Sequence, residues 1–352
     1  MRRWASLLMI FFAAAACKST YSVTVYNLEP APVVLSKDMK RIGIVNEVGN
    51  KDAYTDIASL EALVKATDQR LTKEGTRAAL EGLMAELQKD RRFDTVMILN
   101  NTSSLWSTEE SKTESIPWKA LKELCMQNQL DAVFSLAFYQ TDTRISEKRS
   151  SMEELDMLRT RVKIPAKELT LETLIENGWR IYDPFEEKVL DEIEVNEQVI
   201  TQAKGEYALN ALRAMTDRAD TLMSRSRGSG STYGMRLKPS NKAVEREIYT
   251  KGSPLLVQAK GSVLEADWLE AARLWQMNLS HGKSAIRARA CHNMAVLYEI
   301  KGDLEKAIEW AIQANSHEEG KRHSNCLEGL KKSAIQKSEA EKQWEAIALL
   351  NK

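Results

Sequence analysis

Cysteine is scarce, with four residues in a chain of 352, so no disulfide framework is available and stability has to come from packing. Net charge is also missing. The 50 lysines and arginines are matched by 50 aspartates and glutamates, which leaves no basic field for a phosphate backbone and argues against a nucleic-acid partner. Beyond the first twenty residues no apolar run approaches the roughly 20 residues that span a bilayer. The runs Thr95 to Leu99 and Ala132 to Phe138 are strand-sized. Histidine is absent before His281, and His281, His292, His317 and His323 lack zinc-ligand spacing. A Ser-His-Asp arrangement is therefore excluded from the first three quarters of the chain. Gly228-Ser-Gly lacks the Gly-Lys-Ser/Thr ending of a phosphate cradle, and Gly230-Ser-Thr-Tyr-Gly has threonine where a nucleophilic serine would stand, so both read as loop. No catalytic residue, metal or cofactor is expected, and the chain is not read as an enzyme.

What is present begins at the N-terminus. Arg2 and Arg3 precede the apolar stretch Trp4 to Phe12, and Ala13 to Ala16 lead into Cys17, the layout of a secretory signal. Ala14-Ala15-Ala16-Cys17 resembles a lipoprotein lipobox, which implies cleavage before Cys17 and acylation of its thiol. Two or more acyl chains suffice for stable anchoring. Lys18-Ser19-Thr20 carries no aspartate beside the cysteine and no acidic run, so the expected location is the outer membrane facing the periplasm. Cys125, Cys291 and Cys326 remain. They are expected as buried thiols, with a Cys291–Cys326 bridge as the alternative.

With 43% hydrophobic and 28% charged residues the rest is globular in composition. The stretch Tyr21 to Val34, alternating and then meeting Pro30 and Pro32, predicts a first strand, and Arg41 to Glu47 a second. Leu60 to Leu71 and Thr76 to Leu87 read as two helices, Phe93 to Leu99 as a strand, the segment after Pro117 (Leu121, Leu124, Cys125) as a helix, and Ala132 to Tyr139 as a strand. That order predicts parallel strands with crossover helices. Thr141 to Ala166 is charged and without clear period, and reads as an exposed insertion with a short helix over Met152 to Leu158. Leu169 to Tyr182 and Lys188 to Val195, joined by Asp183-Pro-Phe-Glu-Glu, predict an antiparallel hairpin. Tyr207 to Met223 reads as an amphipathic helix ending in the glycine- and serine-rich stretch from Ser224.

Near the C-terminus, small and large residues recur at fixed spacing. Met294, Ala295 and Tyr298 precede Gly302-Asp303, and Ala307, Trp310 and Ala314 follow. An earlier unit has Ala259, Asp267-Trp268, Ala271 and Trp275, and stretches over Arg322 to Lys332 and Ala340 to Leu350 suggest a third pair or cap. The spacing resembles tetratricopeptide (TPR) repeats, in which small residues sit where two helices cross closely. On that frame Arg289, His292 and Val296 would line a concave groove as partner contacts. Trp268, Trp275 and Trp310 would pack in the core rather than stack on sugars.

The predicted fold is thus α/β, a mixed sheet with crossover helices and a hairpin, followed by an all-α TPR-like domain. Residues 1–16 form the signal peptide, 17–250 the anchored α/β domain with its tether, and 251–352 the repeats. Tyr26-Asn-Leu-Glu-Pro-Ala-Pro, Trp179-Arg-Ile-Tyr-Asp-Pro and Glu245-Arg-Glu-Ile-Tyr-Thr-Lys-Gly, together with the lipobox, resemble an uncharacterised Bacteroidota envelope lipoprotein family with TPR ends. The expected function is that of a lipid-anchored adaptor or scaffold binding a protein or peptide. An enzyme or small-ligand binder with a pocket in the α/β domain is the alternative.

Overall fold

The computed structural model describes residues 19–48, 59–100 and 116–350. The segment expected to be a signal peptide, and Cys17, lie outside the described residues. The chain divides into two compact units, one combining residues 31–238 with the end of the chain from residue 345 and the other combining residues up to 30 with 239–344. The first is a mixed sheet with helices and the second is mainly helical. The division differs from the expected break at residue 250, because strand β1 (Thr20–Glu29) pairs with a strand far along the chain and belongs with the helices.

In the sheet unit the order of elements is β2 (Arg41–Asn46), α1 (Leu60–Leu87), β3 (Thr95–Ile98), α2 (Trp118–Asn128), β4 (Ala132–Leu155), β5 (Arg161–Asp183), β6 (Lys188–Gly205), α3 (Ala208–Arg213) and α4 (Arg218–Met235). The sheet runs β3-β2-β4-β5-β6. β2 is parallel to both β3 and β4, and the remaining pairs are antiparallel. The near-continuous apolar run of β2 suits a central parallel strand covered on both faces. Ile42 and Ile44 join Phe134, Leu136 and Trp179 beneath residues of α1 and α4. Val45, Val133 and Tyr182 meet Leu121, Leu124 and Cys125 of α2 on the opposite face. The predicted crossover arrangement and the β5–β6 hairpin are present.

Three local expectations are corrected. α1 is one helix of 28 residues, capped by Ser59, whose Oγ accepts from the Ala62 amide at 3.1 Å. Gly75 does not break it. A Cβ there would lie 2.1 Å from the Tyr139 hydroxyl, so the glycine lets the strand approach the helix. Likewise the expected helix Tyr207 to Met223 is split at 214–217 into α3 and α4, and the stretch from Ser224 continues α4 and is not a loop. A Cβ on Gly230 would fall 1.9 Å from the Ala79 carbonyl, and one on Gly82 2.0 Å from that of Arg227, so these glycines allow two helices to cross backbone to backbone. Finally, Thr141 to Ala166 is not an insertion with a helix. β4 and β5 run on as strands of 24 and 23 residues, paired in register to Leu155 and Arg161.

In the helical unit β1 pairs antiparallel with β7 (Ser240–Tyr249), from Thr20 opposite Tyr249 to Glu29 opposite Ser240. Helices α5 (Pro254–Leu264), α6 (Trp268–Met277), α7 (Ser284–Ile300), α8 (Leu304–His317) and α9 (Lys321–Leu350) follow. Start signals are explicit. Ser253 Oγ accepts from the Leu256 amide with Pro254 in the first turn, and Asp267 and Asp303 carboxylates accept from the amides of Glu270 and Lys306. Gly302 takes a positive φ of 77° in the turn between α7 and α8. Ala271, Met294, Ala295, Ala307 and Ala314 are buried, and Tyr298 and Trp310 are half-buried against the core. Trp275 is fully buried and Trp268 packs beside it. Where a third pair or cap is expected, a single helix, α9, of 30 residues stands, since nothing over 333–339 breaks it into a pair.

Cys125, Cys291 and Cys326 are free and buried. Burial raises their thiols to about 12, about 11 and about 11 respectively, so they stay protonated. Among the described residues no helix is long and apolar enough to cross a membrane.

Candidate functional site

The inner face of α7 is where the sequence places partner contacts, and the structure fills that face from within. Val23 and Val25 of β1 and Ile248 of β7 share one apolar cluster with Leu256 and Ala259 of α5 and with Ile286, Met294 and Val296 of α7. The ribbon is held by its backbone. Asn293 Oδ1 accepts from the Tyr249 amide at 2.7 Å and its Nδ2 donates to the Tyr249 carbonyl at 2.8 Å, as a neighbouring strand would. His292 Nε2 lies 2.9 Å from the Glu247 carbonyl. Arg289 donates to the Lys251 carbonyl at 2.8 Å, with its guanidinium 5.3 Å from the centre of the Tyr249 ring. The partner-contact reading of Arg289, His292 and Val296 is corrected accordingly. Arg289 and His292 bond to the ribbon or its continuation, Val296 lies in the apolar cluster shared with it, and His292 and Val296 are 3% and 1% exposed.

Below the ribbon lies a buried ion pair. Arg246 of β7 donates to both carboxylate oxygens of Glu299, at 2.8 and 2.7 Å, and Asn27 of β1 donates to Glu299 at 2.8 Å. The Glu299 side chain has no exposure, and its hydrogen bonds hold the Arg246 guanidinium above its ordinary range. Asn27 also reaches Ser333 of α9 at 3.1 Å.

Two histidines meet beside it. A carbonyl only accepts, so His292 Nε2 carries the proton, and its Nδ1 must accept from His323 Nδ1 at 3.3 Å. Both rings are then neutral. Burial lowers His292 to about 4, with the neighbouring His323, Arg322 and Arg246 also opposing its charge, and burial lowers His323 as well. Tyr249 packs against both imidazoles and lies under Arg289 and Arg322. An open cleft of about 480 Å³ remains between β7 and the start of α9, lined by Glu245, Arg246, Glu247, Arg322 and Asn325, with His292 at its base.

In the sheet unit a cleft of about 860 Å³ opens at the carboxyl ends of β2 and β3, floored by Val48, Leu80, Met84, Val96 and Ile98 and edged by Arg77 and Glu81. On the other face the end of β2 holds Glu47, which sequence reasoning missed. Ser135 and Tyr182 hydroxyls donate to its carboxylate, the latter at 3.2 Å, and Arg180 lies 3.7 Å away while donating to Glu192 at 2.7 Å. Burial raises Glu47, against the hydroxyl bonds and the Arg180 charge. A carboxylate beside a serine hydroxyl could form half of a nucleophile–base pair. Ser135, however, is completely buried, so the cluster ties β2 to β4 and β5. Among the described residues no group of three or more histidine, cysteine, aspartate or glutamate side chains is placed to hold a metal ion.

Residues 257–347, within the helices, match the family described as Domain of unknown function (DUF6340). No curated protein matches the chain. Among solved structures, the PelC dodecamer from Paraburkholderia phytofirmans is 12% identical, with 60% of this chain and 96% of that one covered at a TM-score of 0.23. A putative neuraminyllactose-binding hemagglutinin homolog from Helicobacter pylori is 11% identical, with coverage of 57% and 88% and a TM-score of 0.26. Likenesses of that size carry no argument about fold or activity. Residues 39–249, more than half of the chain, match the family described as Domain of unknown function (DUF8603), and the chain belongs to that family.

Proposed function

We propose that this chain is a lipid-anchored protein of the cell envelope, held at Cys17 in the outer membrane and facing the periplasm, which binds a protein or peptide partner and performs no catalysis. It is read as a member of an envelope lipoprotein family with TPR ends, α5–α6 and α7–α8 being its TPR-type hairpins. The spacing of the buried alanines Ala271, Ala295, Ala307 and Ala314 supports that reading. The observation that carries it is the open cleft between β7 and α9, beside the face on which α7 already grips extended backbone through Asn293 and His292. With that face taken by the ribbon, partner contact moves to the cleft between β7 and α9, where Arg322 and Asn325 replace Arg289 and His292 as contact residues.

A photo-crosslinking residue at Asn325, in cells, is expected to capture one defined partner that the same residue at Leu269, on the exposed side of α6, does not. Identical products from both positions would overturn the partner site. Cys17→Ser is expected to release the protein from membranes, and retention would overturn lipid anchoring. The alternative reading, a small-ligand site, is favoured by the cleft at the carboxyl ends of the parallel strands β2 and β3. A ligand that raises the melting temperature in wild type and fails to do so in Met84→Glu would select it.

A further inference from the structure

β6 ends opposite Lys167, at Gly205, while β4 and β5 continue as a two-stranded arm to Leu155 opposite Arg161. Six further pleats carry the arm about 20 Å past the three-stranded sheet. Its tip is a built turn. The Asp156 amide donates to the Thr160 carbonyl at 3.0 Å and the Asp156 carboxylate accepts from the amides of Leu158 and Thr160 at 2.9 and 2.8 Å, with Arg159 at a φ of 59°. That turn holds Met157 and Leu158 fully in solvent, at 103% and 85% exposure, with Leu155 beside them at 61%. Large apolar side chains fixed in this way at the end of a hairpin mark a contact site. Glu153 and Glu154 flank them on β4.

The same unit carries a cleft of matching chemistry, about 860 Å³, with Leu80, Met84, Val96 and Ile98 as its floor and Arg77 exposed at its edge. An arm cannot serve its own cleft. β4 passes the end of β2 at Leu136, opposite Asn46, and reaches the turn about 20 residues later, on the order of 60 Å of paired strand away. The geometry points to head-to-tail association of two copies, with Met157 and Leu158 of one seated in the β2–β3 cleft of the next and Glu154 set against Arg77. Arm and cleft are different patches, so the contact repeats as a ring or an open chain unless two copies exchange arms about a two-fold axis. It is independent of the partner-binding reading of the helices.

The test uses the full chain in its native membrane, as a mixture of isotopically light and heavy copies, with a photo-crosslinking residue at Leu158. The expected product is a light–heavy adduct to peptides from residues 73–98. Adducts to lipid, to another protein or to a different face would overturn the assignment. In solution, the Cys17→Ser chain is expected to show a molar mass that rises between about 1 and about 100 µM. Met157→Asp/Leu158→Asp, at two exposed positions of the monomer, is expected to weaken association by about 100-fold or more. Arg77→Glu should weaken it by about tenfold and Glu154→Arg should restore it. A monomer throughout, or reversal of charge without restoration, would refute the pairing.

Discussion

In each unit a buried arginine–carboxylate pair links elements far apart in the chain, and the two pairs do different things. In the sheet unit Arg218 of α4 donates to Asp68 of α1 at 2.6 Å and to the Thr143 and Thr173 hydroxyls of β4 and β5 at 2.9 and 3.1 Å. There it supplements a broad apolar face, since α1 and α4 already bury Leu71, Ala79, Leu83, Leu222 and Tyr233 against the sheet. In the helical unit the Arg246–Glu299 pair, with Asn27, lies under a ribbon that contributes Val23, Val25 and Ile248 to the shared core. Layers with wide apolar contact use polar bonds for register, whereas a narrow ribbon depends on them for attachment.

The largest expected effect separates the two directly. Glu299→Ala strands a buried guanidinium and should cost about 3 to 5 kcal/mol, read as loss of the helical unit's denaturant transition. Replacing both partners with Arg246→Met/Glu299→Leu should recover most of it. If Asp68→Ala is as disruptive to the ribbon as Glu299→Ala, the separation fails.

Acid provides the next test. His292 is lowered to about 4 in the folded chain from an ordinary 6.5, so the unfolded chain binds the extra proton between those values. The stabilisation is complete above pH 6.5 and is lost as pH falls toward 4, by about 3 kcal/mol in all. Protonation would also set two Nδ1–H donors against each other at the His323 contact. His292→Gln should flatten that part of the stability profile in the helical unit only. An unchanged slope between pH 6.5 and 4 would contradict the neutral pair.

A smaller effect probes the helix crossing of the sheet unit. Gly230→Ala pushes a methyl onto the Ala79 carbonyl and should cost about 2 kcal/mol, whereas Gly228→Ala meets nothing within 4 Å and should stabilise slightly through helix propensity. Equal effects would mean that α1 and α4 do not approach so closely. Smallest of all, Arg77→Ala removes only an exposed pair with Glu81 and should change stability by less than about 0.5 kcal/mol.

Much of this layout was legible in the residues and some of it could not be. α7 and α8 announce themselves because alanines recur where helices cross and Gly302-Asp303 marks the turn. β2, β3 and β4 are legible as short apolar runs between helices. The ribbon is not, because Thr20 and Glu247 lie 227 residues apart and alternation in a strand does not name its partner. Nor does it show that Arg289, His292 and Val296 would be covered. Glycine and serine in α4 have the composition of a loop, and only the neighbouring helix reveals them as a close crossing. The arm of β4 and β5 has polar residues on both faces, as at Arg149 opposite Lys167, so no buried face imposes a period of two. Glu47 is one of 50 acidic residues, and its burial follows from where β2 ends.

Hydrogen exchange at the Tyr249 amide reports the seating of the ribbon most directly, because this amide points away from β1 and is bonded only by Asn293. Strong protection in wild type, lost in Asn293→Ala while the inward Ile248 amide stays protected, is the predicted outcome. Rapid exchange at Tyr249 in the wild-type chain would show that the ribbon does not occupy the face of α7.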